Sequence, residues 1–209
     1  MIRKDIDSFL ATLPTGVILV AATKYGNIED LKELYRHNVK TFGENRVDSF
    51  LAKYNELKDY KDISWHFIGH LQRNKAKQVI NYINVLESLD SLELAEMINK
   101  LRDKPLDVFI EVSINLEESK NGVPYYEAES FINRIKSYPN INIVGLMMMA
   151  IKGSLDTRSQ FHKLNELRNE LETKCEIKIP FLSMGMSEDY LEALKEGATH
   201  IRLGRILFI

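Results

Sequence analysis

The chain has 209 residues, 44% hydrophobic and 28% charged, a mixture suited to one substantial core rather than two. A formal net charge of −2 and a pI near 6.2 exclude a general positive field for nucleic acid or anionic lipid, so an anionic ligand needs a local site. The only cysteine, Cys175, excludes an internal disulfide, as in a reducing cytosol, and no apolar run is long enough to span a bilayer.

The N-terminal MIRKDIDSFLATL carries Asp5 and Asp7 where a signal peptide needs its unbroken apolar stretch. It reads as an amphipathic helix, and the protein is expected in the cytoplasm. From there short apolar runs alternate with segments of helical period. A strand at Val17–Thr23 precedes a helix near Ile28–His37, and Val39–Phe42 precedes Arg46–Lys58. Trp65–Ile68 leads to Gln72–Tyr82, and Val85–Ser88 to Ser91–Leu101. Val108–Ser113 leads to Tyr125–Ser137, and Ile143–Met149 to Asp156–Lys174. Ile179–Ser183 and the helix Ser187–Glu196 follow, and Thr199–Leu203 is the last strand. Ser91 and Ser187 stand where helix caps belong.

Eight strands with a helix after nearly every one predict an α/β fold: a single (β/α)8 TIM-type barrel with an extra N-terminal helix, one domain over residues 1–209. An open doubly wound sheet is the alternative. No linker or low-complexity stretch interrupts the pattern. In a barrel the chemistry sits at the C-terminal ends of the strands.

Three segments place reactive groups there. In VILVAATKYG the alternate positions Ile18, Val20, Ala22 and Lys24 share a face, with small Ala22 leaving space below the lysine. Burial there favours the neutral amine that condenses with an aldehyde, whereas a Lys24 that reaches water is an ordinary surface cation. In Ser183–Ser187 (SMGMS) the backbone N–H groups around Gly185 to Ser187 and the Ser187 hydroxyl make an anion cradle at a helix N-terminus, or only a cap. In HIRLGR, His200, Arg202 and Gly204 share one face and Ile201 and Leu203 the other. An inward Arg202 needs a carboxylate or a ligand acceptor, and Gly204 lets backbone come close to a ligand.

The stretches VAATK around Lys24, FGENR at Phe42–Arg46, WHFIGHLQRNK at Trp65–Lys75, GLMMM at Gly145–Met149, LSMGMSEDY at Leu182–Tyr190 and IRLGRILF at Ile201–Phe208 occur in one order across nearly the whole chain. Together they resemble the pyridoxal phosphate homeostasis proteins, which bind pyridoxal 5′-phosphate (PLP) on an alanine-racemase-like barrel. The resemblance implies that Lys24 forms the internal aldimine with PLP. It implies that Ser183, Met186 and Ser187, with the backbone at Gly204 and Arg205, hold the phosphate. Arg202 matches the arginine facing the pyridine nitrogen, and Asn45 is a pocket residue. His70 and Asn74 of the GHLQRNK loop are weaker candidates. Arg205 stands where the family more usually has a small or hydroxylated residue, so its side-chain contribution to the phosphate is open.

The function expected is storage and delivery of PLP and maintenance of vitamin B6 balance, without catalysis. An arginine can only donate, so the ring nitrogen facing it stays unprotonated and is a weak electron sink. Only seven residues follow Arg202, which leaves no second domain to bring the tyrosine base of a racemase. Tyr25 and Tyr190 keep a racemase-like PLP enzyme open as the alternative. A Schiff-base aldolase would need acidic groups, with Glu87 and Glu111 as candidates more readily paired inside the barrel. A ligand-free interaction protein is the third reading. Met147 and Met149 are strand packing that can reach the pocket floor. No metal-ligand spacing occurs. The partners expected are PLP and apo PLP-dependent enzymes, with no nucleic acid or membrane, and the chain is expected to be a monomer.

Overall fold

The computed structural model describes residues 1–114, 121–151 and 153–208. Helix α1 (Ile6–Leu10) buries Ile6 and Phe9 before the first strand begins. The strands are β1 (Ile18–Ala22), β2 (Thr41–Glu44), β3 (Ser64–Phe67), β4 (Val85–Leu89), β5 (Leu106–Ser113), β6 (Val123–Pro124), β7 (Ile141–Met147), β8 (Phe181–Ser183) and β9 (His200–Leu203). The order β4-β3-β2-β1-β9-β8-β7-β5 is closed by the β4–β5 pairing, so eight strands make a barrel. Every strand pairing is parallel, and the two-residue β6 hangs on β5 outside the ring. The closed barrel, not the open sheet, is the fold.

Helices α2 (Ile28–Arg36), α3 (Val47–Leu57), α4 (Arg73–Val79), α5 (Leu92–Leu101), α6 (Ala128–Ile135), α7 (Thr157–Cys175) and α8 (Tyr190–Lys195) alternate with the barrel strands. Side-chain alternation divides each strand between two environments. Ala21, Phe42, Trp65, Phe67, Leu86, Val108, Ile110, Leu146, Leu182, Ile201 and Leu203 join the continuous apolar cluster shared with the helices. Val20, Phe109 and Met147 are equally buried but lie apart from that cluster, inside the ring. The interior is tight. A Cβ on Gly145 would stand 2.4 Å from the Phe109 ring, and one on Gly43 would stand 2.8 Å from Val20 Cγ1. His200 fills the space between Phe109 and Phe181, at ring distances of 5.0 and 5.2 Å.

Several boundaries differ from expectation for local reasons. Asn38 takes φ 63° to end α2, and the Val39 N–H closes that end onto the Leu34 carbonyl, so β2 starts only at Thr41. Ser91 stands at the α5 N-cap without a side-chain bond, whereas Asn27 and Asp30 form a full capping box on α2. Helix α8 starts at Tyr190, three residues after Ser187, which leaves Ser187 in a turn rather than at a cap. Among the described residues no helix is long and apolar enough to cross a membrane.

Candidate functional site

A cavity of about 810 Å³ opens at the C-terminal ends of the strands. Of the residues singled out from the sequence, Lys24, Asn45, His70, Met149, Met186, Ser187, Arg202, Gly204 and Arg205 line it, joined by Tyr25 and Glu111. Asn74, Met147 and Ser183 do not.

Lys24 does not continue the β1 alternation. The strand ends at Ala22, and Thr23–Tyr25 form a single 3₁₀ turn that lifts Lys24 to the rim. Its side chain is exposed, not buried as the strand reading required. Lys24 Nζ lies 4.9 Å from the centre of the Tyr25 ring and has no hydrogen bond or ion pair among the described residues. The turn is anchored from below. Thr23 Oγ1 donates to Glu44 Oε1 at 2.6 Å, and Lys53 Nζ donates to the Thr23 carbonyl at 2.8 Å and to Glu44 Oε1 at 2.5 Å. Glu44 is fully buried, so this ion pair ties α3, β2 and the lysine turn together.

Arg202 is 5% exposed and sits on a polar chain through the barrel. Its Nη1 donates to Ser183 Oγ at 2.6 Å and its Nη2 to the Met148 carbonyl at 2.8 Å. Ser183 Oγ in turn donates to Glu87 Oε2 at 2.5 Å, and His66 Nδ1 meets Glu87 Oε1 at 2.5 Å. Burial pushes the Glu87 carboxyl up, but the His66 hydrogen bond and the charges of His66, Arg202 and His200 hold it down at about 2. Glu87 therefore stays a carboxylate and balances the buried guanidinium. The Nε of Arg202 has no partner among the described residues, which leaves a donor for a ligand. Ser183 lies one layer beneath the cavity with its hydroxyl committed to Glu87 and Arg202, so it supports the arginine rather than an anion.

The turn after β8 offers backbone donors. Gly185 has φ +91°, and a Cβ there would stand 2.6 Å from Ala193 Cβ, so only glycine fits. The Met186 N–H donates to Asp189 Oδ1 at 2.6 Å, and the Gly204 N–H donates to Ser187 Oγ at 3.3 Å. The N–H groups of Ser187, Glu188 and Arg205 have no acceptor among the described residues. The Arg205 side chain pairs with Glu188 at the surface, so its contribution here is its backbone. The cradle is thus a turn joined to the end of β9, not a helix N-terminus.

Two polar groups in the cavity lack partners among the described residues. Asn45 Oδ1 is buried with no hydrogen bond, which leaves an acceptor unsatisfied at a cost of about 1–3 kcal/mol unless a ligand donates to it. Glu111, on β5, is 3% exposed and has no hydrogen bond or ion pair among the described residues. Burial and the nearby charge of Asp90 push its carboxyl up to about 7, against Arg202 and His70. The sequence presents Glu87 and Glu111 as equals. The fold pairs one and leaves the other open to the cavity.

The family model of the alanine racemase N-terminal domain matches residues 8–209. The chain is 41% identical over 195 residues to the pyridoxal phosphate homeostasis protein of Aquifex aeolicus, covering 91% of this chain and 85% of the relative. It is 36% identical over 205 residues to that of Synechocystis, covering 95% and 94%. The solved structure of PipY from Synechococcus elongatus with PLP bound superposes with a TM-score of 0.89 at 30% identity, covering 99% of each chain. The structure of PipY without PLP gives 0.93 at 31% identity, again covering 99% of each. An alanine racemase of Clostridium difficile, at 14% identity and a TM-score of 0.79 over 97% of this chain and 55% of that one, shares the barrel. With its fold, its ordered motifs and relatives this similar, the chain belongs to the pyridoxal phosphate homeostasis protein family.

Proposed function

We propose that this barrel, as one domain over residues 1–209, is a cytoplasmic monomer that holds PLP on Lys24, stores it and passes it to apo PLP-dependent enzymes. The observation that carries this reading is Lys24 itself, a primary amine without a partner among the described residues, at a cavity rim that also presents unsatisfied donors. When bound, PLP supplies an aldehyde carbon that an amine can capture, a ring nitrogen and a phosphate dianion. The residues present fit that group. Free amides at Ser187, Glu188 and Arg205 suit a phosphate, and Asn45 Oδ1 suits a hydroxyl donor. Arg202 suits an unprotonated ring nitrogen, because a guanidinium donates and does not accept. The relatives named as homeostasis proteins and the PLP-bound PipY structure support the same reading.

The same residues argue for a carrier rather than a catalyst. Stabilising a carbanion on PLP usually needs an acid against the ring nitrogen, and here that place falls to Arg202, whose own carboxylate partner Glu87 lies 3.9 Å from its Nη1 and is bonded to Ser183. Tyr25 is the only tyrosine among the described lining residues. Its ring packs where a Cβ on Gly204 would be 2.5 Å away, and Tyr190 packs against Phe9 instead. The test is PLP titration followed by borohydride reduction and peptide mapping. A pyridoxyl group on Lys24, lost with the visible absorbance in Lys24→Ala, is expected, and a reduced protein with no mass on that lysine refutes the reading. Incubation with L- or D-alanine should leave each enantiomer unchanged. Racemisation abolished by Tyr25→Phe would establish the enzyme instead.

A further inference from the structure

Glu111 lines the cavity from β5, and Asp90, one residue past the end of the paired strand β4, lies outside that lining but close enough for its charge to act on Glu111. Buried carboxyl groups are normally hydrogen-bonded, as Glu87 and Glu44 are in this same barrel. Glu111 is the exception, 3% exposed and without a partner among the described residues. Asp90 is held by the His70 ring at 2.8 Å, with its own side chain 7% exposed. The other charged groups lining the cavity are Lys24, Glu188, Asp189, Arg202 and Arg205. Arg205 pairs with Glu188, Asp189 accepts the Met186 amide, and Arg202 is engaged with Ser183 and Met148. A phosphate would be repelled from Glu111, and a ring nitrogen is better met by Arg202. What Glu111 lacks is a cation with N–H donors.

We propose that Glu111 forms a subsite for a second ligand, a primary amine, and that its carboxylate takes the proton from the ammonium so that the free amine displaces Lys24 from the bound aldehyde. The displacement half rests on the PLP reading above, while the amine subsite stands on Glu111 alone. The exchange balances. The incoming nitrogen uses its lone pair to form the new bond to the aldehyde-derived carbon, and the bond from that carbon to the Lys24 nitrogen breaks toward nitrogen. All three protons of the incoming ammonium end on Lys24, carried between the two nitrogens by the Glu111 carboxylate, which is regenerated. Nothing is oxidised or reduced. A carboxyl pushed up to about 7 both accepts and returns a proton near neutral pH, whereas one held at about 2, like Glu87, cannot serve as a base of useful strength.

The experiment has two arms with n-propylammonium as the probe. In the ligand-free protein, carboxyl NMR of ¹³C-labelled glutamate identifies the Glu111 signal by its loss in Glu111→Gln. Propylammonium should shift that signal and lower its titration midpoint, and tetramethylammonium, without N–H groups, should not. In the PLP-loaded protein, propylamine displacement is followed by borohydride quench and the mass of the Lys24 peptide. Glu111→Gln should slow it by about 10-fold or more at equal PLP occupancy. Asp90→Asn should move the pH of half-maximal rate downward, because a like charge is gone. A Glu111 signal indifferent to propylammonium overturns the subsite, and displacement as fast in Glu111→Gln as in the parent overturns the proton transfer. A parent protein that acquires no pyridoxyl group on Lys24 overturns the PLP reading instead, with the NMR arm still deciding the subsite.

Discussion

Replacing Glu111 by glutamine should make the ligand-free protein more stable, and only at the pH where the carboxyl ionises. The group has an ordinary value of 4.5 and is pushed up to about 7 in the fold. Below 4.5 it is protonated in both states and contributes no difference. As pH rises, the unfolded chain gives up its proton first, so ionisation favours unfolding until the folded group also titrates near 7. The full cost is the difference between the two values at about 1.4 kcal/mol per unit, roughly 3 kcal/mol above pH 8. Glutamine has nearly the same shape and no charge, so Glu111→Gln should recover about that amount at pH 8 and only a few tenths of a kcal/mol at pH 4. Urea unfolding at both values measures the difference, and for a chain of this size the pH 8 gain corresponds to roughly 6–12 °C in Tm. A variant no more stable than the parent at pH 8, or equally stabilised at pH 4, would refute the premise that Glu111 is buried without a partner. Stability forfeited at a cavity wall is the expected signature of a group kept for a ligand.

The other predictions probe different supports. Lys53→Met strips the counter-ion from buried Glu44 and releases the Thr23 carbonyl, so urea unfolding should show a loss of about 3–5 kcal/mol. Pyridoxyl labelling of Lys24 should fall in that variant even where it remains folded, because the turn beneath the lysine is no longer tied down. Glu87 is held at about 2 against an ordinary 4.5, so its contribution is present above about pH 5 and lost as pH falls toward 2. The parent should therefore lose roughly 3 kcal/mol more than Glu87→Gln across that interval, read from urea midpoints at stepped pH. Gly185→Ala forces a side chain onto φ +91° and into Ala193. It should abolish the thermal stabilisation that inorganic phosphate confers on the parent, while far-ultraviolet circular dichroism stays unchanged.

The barrel was legible in the chain because alternation and helical period are local. His200 and Arg202 against Ile201 and Leu203 already separate the inside of β9 from its outside, and closure follows from eight such strands. The residues gathered at the mouth were legible for the same reason, since strand ends converge in a closed parallel barrel. The 3₁₀ turn that exposes Lys24 was not, because a strand pattern does not announce its last residue. Nor was the division between two buried glutamates. Glu87 finds Ser183 across 96 positions of sequence and His66 across 21, and Glu111 finds no partner among the described residues. A period of two along each strand settles which side chains face inward before any contact is made. Which of those inward groups are neutralised and which remain open is settled by closure of the barrel, because electrostatic partnership depends on distances in space rather than on order along the chain.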